Sequence, residues 1–92
     1  MTHATPWLSI VTVIRNDRAG LQQTLESLER HDLSDVEWIV VDSSDDAAEV
    51  AALLTDLAIT PDIYWIAPSG VFEAMNFGLK QATGYYTYFL NA

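Results

Sequence analysis

The sequence predicts an α/β fold: an open, mainly parallel four-stranded sheet in the order 3-2-1-4, with helices on both faces. Short runs rich in β-branched residues alternate with stretches whose apolar residues recur at helical spacing. The resulting order is βαβαβαβ, which requires parallel pairing through right-handed crossovers. The first two strand runs are apolar almost throughout, as in strands covered on both faces.

Leu8-Ser-Ile-Val-Thr-Val-Ile14 is the first strand, and it runs into the polar loop Arg15-Asn-Asp17. A helix follows from Arg18 to about His31, with leucines at 21, 25 and 28 on one face and Gln22, Gln23, Glu26, Glu29 and Arg30 on the other. Asp17 is placed to cap it. Val36-Glu-Trp-Ile-Val-Val41 is the second strand, followed by the polar turn Asp42-Ser-Ser-Asp-Asp46 and a helix to about Leu57. Thr60-Pro-Asp62 punctuates the chain before the short third strand Ile63-Tyr-Trp-Ile66. Ala67-Pro-Ser-Gly70 is a turn, Val71 to Ala82 a helix, and Gly84 is expected to end that helix in a left-handed cap. Tyr85 to Leu90 is the fourth strand.

A chain of 92 residues holds one small domain, here residues 1–92, with residues 1–6 expected to be disordered. Half of the residues are apolar, which fits a globular chain. Thirteen acidic against four basic residues give a net charge of −9, which repels nucleic-acid phosphates and anionic lipid. No nucleic-acid partner is therefore expected. There is no cysteine, so disulfides and thiolate metal sites are excluded, in keeping with a reducing compartment. No stretch approaches a membrane span and the first residues lack a secretory pattern, so the expected location is cytoplasmic.

In such a sheet the loops after the strands open on one edge, which gathers Arg15, Asn16 and Asp17 near Asp42, Ser43 and Ser44. Asn91 joins them if the fourth strand lies beside the first, across the point where strand order reverses. Asp42 has two readings: its carboxylate accepts hydrogen bonds from a base or sugar, or it simply ties down its own turn or caps the next helix. Arg15 either pairs with a phosphate or neutralises Asp17 or Asp42. Asn16 shapes its loop, and Asp45 and Asp46 read as a helix start. Glu73 and Asn76, three apart, share a helix face that meets either a ligand or water. His3 and His31 carry no sign of metal ligation. No Gly-x-Gly-x-x-Gly follows the first strand and no phosphate-cradling Gly-rich loop is present, which disfavours a dinucleotide site or an ATPase. The acidic pair and distal lysine of a phospho-receiver domain are also missing.

Leu8-Ser-Ile-Val-Thr-Val-Ile-Arg-Asn16, Glu37-Trp-Ile-Val-Val-Asp-Ser-Ser-Asp45, Val71-Phe-Glu-Ala-Met-Asn-Phe-Gly78 and Ala82-Thr-Gly-Tyr-Tyr-Thr-Tyr-Phe-Leu-Asn-Ala92 together resemble the amino-terminal half of family 2 glycosyltransferases of the GT-A fold. The last segment, in order after the others, is the specific one. The resemblance implies inverting transfer of a sugar from a nucleotide-diphosphate sugar to an acceptor hydroxyl. It maps nucleoside binding onto Val13, Arg15, Asn16, Asp42 and Ser43, and the first position of the divalent-metal motif onto Asn91. Mg²⁺ or Mn²⁺ is the implied cofactor, neutralising charge on the leaving diphosphate.

Three departures stand out. Asp42 is followed by Ser43 where the family often has a second acid. The loop at 67–70 lacks an acid and lysine common in the subgroup. The family's metal motif carries an acid where Asn91 stands, and its remaining metal position, catalytic base and acceptor site fall downstream. The chain is therefore expected to be a truncated nucleotide-binding portion, inactive in isolation and with no catalytic residue of its own. The alternative is a non-catalytic oligomerisation or interaction module. Because Tyr85 to Leu90 would form an uncovered aromatic edge, a homo-oligomer through that strand is also expected.

Overall fold

The computed structural model describes residues 5–45, 61–66 and 70–90, with the side chains of Arg18 and Val71 left aside. The elements are β1 (Leu8–Ile14), α1 (Arg18–Leu28), β2 (Val36–Asp42), β3 (Ile63–Ile66), α2 (Val71–Gln81) and β4 (Tyr86–Phe89). The helix expected between Asp46 and Leu57, the turn residues 67–69 and Asn91 lie outside the described residues. All strand pairs are parallel, and the order β3-β2-β1-β4 is the one expected from the sequence.

Alternation along β1 and β2 divides the core into two layers. Ile10, Ile14, Trp38 and Val40 face α1, whose Leu21, Leu25 and Leu28 close over them. Val11, Val13, Ile39 and Val41 face the other way and are covered by Ala74 of α2. Each fully buried branched side chain contributes roughly 1.5–3 kcal/mol. The two central strands therefore dominate stability. Trp38 brings a polar atom into this interior, and its indole N–H donates to Thr12 Oγ1 at 3.0 Å. α2 lies close to β1 because Gly78 has no side chain; a Cβ there would overlap Val11 Cγ1.

Asp17 caps α1 as expected, accepting from Gly20 N at 2.8 Å. The helix stops at Leu28 rather than near His31; Glu29 N still bonds Leu25 O, and the two amides after it make the shorter bonds Arg30 N to Ser27 O and His31 N to Leu28 O. This is the tightening of a closing helical turn. β4 is shorter by one residue at each end than expected. Even so, Tyr85 N still donates to Pro6 O at 3.1 Å and Leu90 N to Val11 O at 2.9 Å. Pro6 is also buried, so the expected disordered start does not extend to it.

Gly84 corrects the sequence reading. No glycine has a positive φ, and α2 ends at Gln81 with Ala82 already extended. Gly84 is required by close approach instead: a Cβ there would stand 2.7 Å from Ser9 N and 2.9 Å from Leu8 C. Its own N–H donates to Ser9 Oγ at 2.9 Å. Ser9 passes its hydroxyl hydrogen to Glu37 Oε1 at 2.9 Å, and Thr83 donates to the same carboxylate from its backbone N and its Oγ1, both at 3.0 Å. Buried Glu37 thus fastens the turn before β4 to the amino edge of β1 and β2.

Candidate functional site

β1 and β2 end level with each other, Ile14 opposite Asp42, so their outgoing loops start side by side. Ser43 N continues the pairing by donating to Ile14 O at 2.8 Å, and Ser43 Oγ donates to the same carbonyl at 3.2 Å. Arg15 then reaches across, its Nη1 donating to Ser43 O at 2.8 Å.

Asn16 is the one non-glycine described residue with a positive φ, at 53°. Asn tolerates this left-handed region better than most side chains. The conformation is held from three sides. Asn16 N donates to Ser44 Oγ at 2.8 Å, Asn16 Nδ2 donates to Asp45 Oδ2 at 3.1 Å, and Asp45 N donates to Asn16 Oδ1 at 3.0 Å. Arg15 Nη2 also lies 3.9 Å from Asp45 Oδ1, an ion pair with both side chains largely in water.

Asp42 is fully buried at the head of β2. Its Oδ1 accepts from Ser44 N at 2.9 Å and its Oδ2 from the Tyr64 hydroxyl at 2.8 Å. Tyr64 sits opposite Val40 in the β2–β3 register, on the same face of the sheet as Asp42. Its phenol is raised well above the ordinary value, first by burial and then by the hydrogen bond and negative charge of Asp42. Through Ser44 N the Asp42 carboxylate ties down its own turn.

Arg15, Asn16, Asp42 and Ser43 are therefore assembled at one place, Arg15 and Asn16 exposed and Asp42 and Ser43 buried. Val13 stands just below them in β1, its side chain part of the α2-facing core. Only its backbone could meet a ligand. Glu73 and Asn76 are exposed on α2, which begins at this same edge of the sheet. Glu73 bends toward its own helix start, with Oε2 2.5 Å from where a Cβ on Gly70 would lie. A carboxylate there suits the positive end of the helix dipole. Among the described residues no three His, Asp or Glu side chains gather into a metal-binding group, and Asn91 is outside them.

Asp45 and Tyr64 are the residues of this candidate site whose contacts sequence reasoning missed. Asp45 sits in a run of acids that also reads as a helix start. The signal for Tyr64 was a phenol in an otherwise apolar strand, since a partly buried hydroxyl generally finds a partner.

The sequence model of one protein family, described as Glycosyl transferase family 2, matches residues 9–92. The chain belongs to that family. Among curated relatives of this family 2 chain are the PGL/p-HBAD biosynthesis glycosyltransferases of Mycobacterium bovis (strain BCG / Pasteur 1173P2) and Mycobacterium tuberculosis (strain ATCC 25177 / H37Ra). Each is 34% identical over 92 residues, 97% of this chain and 36% of the relative. The family 2 chain thus spans about a third of the length of these relatives. The crystal structure of S. aureus TarS superposes with a TM-score of 0.70 over 91% of this chain and 16% of that one, at 20% identity. That likeness establishes a shared fold, the α/β sheet of a GT-A glycosyltransferase.

Proposed function

We propose that the carboxyl edge of the sheet is the nucleoside end of a nucleotide-diphosphate-sugar site, in a parent enzyme that moves the sugar to an acceptor hydroxyl with inversion. The observation that supports this best is the clasp between the loops at 15–17 and 43–45. It lies at the head of the strand beside which the order reverses, where open α/β sheets take their ligands. Arg15 spends Nη1 on Ser43 O and has further N–H groups for the diphosphate. Asn16 and Ser43 shape the loop walls, and the Val13 backbone lies at their base. Asp42, as a carboxylate that only accepts hydrogen bonds, takes an N–H of the base.

In an inverting transfer the acceptor oxygen bonds to the anomeric carbon as the carbon–oxygen bond to the diphosphate breaks on the opposite face. The acceptor proton goes to a base. A hard divalent cation such as Mg²⁺ or Mn²⁺ would supply charge neutralisation at the diphosphate. The position that the resemblance assigns to it, Asn91, lies outside the described residues. The role of this stretch is to bind and orient the donor, and the isolated chain is expected to transfer no sugar.

Calorimetric titration of the purified chain with UDP and GDP, with and without Mn²⁺, tests the reading. Binding that disappears in Asp42→Ala supports it, and no binding by the folded chain at millimolar nucleotide sinks it.

One observation favours a second reading, self-association through β4. The strand has no partner on its outer side among the described residues, and Tyr85, Tyr86 and Tyr88 are all exposed. Beneath it, on the α1 face, lies a groove of about 430 Å³ whose lining includes Trp7, Leu28, Leu33, Tyr88 and Leu90. None of Arg15, Asn16, Asp42 or Ser43 lines that groove. A monomer by light scattering at high concentration would exclude this reading and leave the first intact.

A further inference from the structure

We infer that Tyr64 is a gate on Asp42: its hydroxyl occupies the carboxylate oxygen that the base of a nucleoside diphosphate would take, and binding requires it to let go. This rests on the nucleotide reading above and adds to it a residue that competes with the ligand. Asp42 has no exposed surface and each oxygen already accepts one hydrogen bond, from Ser44 N and from the Tyr64 hydroxyl. Each oxygen keeps a second lone pair, but with the carboxylate sealed from the surface a base N–H reaches it only by moving one of these donors aside.

The two donors differ in how firmly they are held. Ser44 donates from its backbone, and its own Oγ is fixed by Asn16 N at 2.8 Å. The residue before it is pinned by Ser43 N to Ile14 O and by Arg15 Nη1 to Ser43 O. Releasing that amide would dismantle both loops. Tyr64 donates from a side chain on a four-residue strand at the margin of the described sheet, and the next two residues, Trp65 and Ile66, are about half exposed. Releasing it takes rotation of one side chain, after which the phenol can donate to water.

The exchange is chemically matched. An ionised carboxylate only accepts, and a phenol O–H and an imide or amide N–H of a base are both single donors. One hydrogen bond replaces another, so the gate costs affinity without blocking the site outright. It also keeps Asp42 from standing unpaired in the empty protein, where a buried carboxylate without donors would be strongly destabilising.

The test is Tyr64→Phe, which keeps the ring packed against the α1-facing core and removes only the hydroxyl. UDP and GDP are titrated separately into wild type, Y64F, D42N and the double variant, with circular dichroism confirming the fold of each. The expected result is that Y64F binds the preferred nucleotide about tenfold tighter than wild type, because a charge-assisted hydrogen bond no longer has to be broken. Binding should vanish in both D42N backgrounds.

Equal or weaker binding by Y64F, with D42N still abolishing it, would overturn the gate and leave the nucleotide site standing. Absence of binding in both wild type and folded Y64F would overturn the gate and the nucleotide reading together.

Discussion

At the amino edge of the sheet, Glu37, Ser9 and Thr83 satisfy one another's polar atoms around a carboxylate shut away from water, whereas at the carboxyl edge Arg15, Asn16 and Asp45 make an equally dense set of bonds in the open. Both clusters tie a loop to β1. They differ in what remains over. The Glu37 carboxylate accepts three donors that all come from the chain itself, and nothing in it points outward. The open cluster leaves N–H groups of Arg15 unspent and its loop surfaces exposed. A polar cluster that closes on itself is architecture, and one that keeps donors facing water can act on something else.

Cutting the closed cluster should have the largest effect. Glu37→Ala leaves the Ser9 hydroxyl and both Thr83 donors without their acceptor, and a loss of about 2–4 kcal/mol in urea unfolding is expected. Gly84→Ala attacks the same edge sterically, since its Cβ would meet backbone on β1, and should cost about 1–3 kcal/mol.

At the open edge, stability and binding should separate. Asn16→Gly accepts the positive φ freely but gives up the two side-chain bonds to Asp45. We expect about 1 kcal/mol or less in stability and a clear loss of nucleotide affinity by calorimetry. If it destabilises the chain as much as Glu37→Ala, the contrast between the edges fails.

The smallest change is expected from the Arg15–Asp45 ion pair. Asp45→Asn should shift the urea midpoint by less than about 0.5 kcal/mol equivalent, because exposed pairs are weakly coupled and screened by salt.

Alkaline pH sharpens the comparison further. Tyr64 has its phenol raised, so the folded state favours the neutral form. That contribution is complete below the ordinary phenol value of about 10 and is lost as pH rises through the folded value. An ultraviolet titration should show a late tyrosinate step, and Asp42→Ala should bring it to lower pH by removing the carboxylate.

The sheet was legible because its information is periodic. Leu21, Leu25 and Leu28 mark one face of α1, the apolar runs of β1 and β2 mark strands covered on both sides, and the alternation of elements dictates parallel order. The loops that meet at the carboxyl edge followed from topology alone. What escaped was pairing between residues distant in sequence. Nothing near Asp42 announces that Tyr64 will fill its second oxygen, since the two meet only once β3 is in register. Asp45 looked like one more acid at a helix start, and its reciprocal contact with Asn16 depends on the left-handed turn of a loop 29 residues earlier. Gly84 was given the right importance for the wrong reason, because a local rule about helix ends cannot see a strand 75 residues away in the chain.

That separation shapes how the chain is made as well as how it stands. β1 is synthesised well before one of its two strand neighbours, β4, which follows only after β2 and β3. At roughly 5–20 residues per second, several seconds pass in which one side of β1 has no mate. During that interval β2, fully paired with β1 from Leu8 to Ile14, is the neighbour that can shelter it. The seven-residue match at the centre of the sheet thus doubles as the nascent chain's first protection against pairing with the wrong strand.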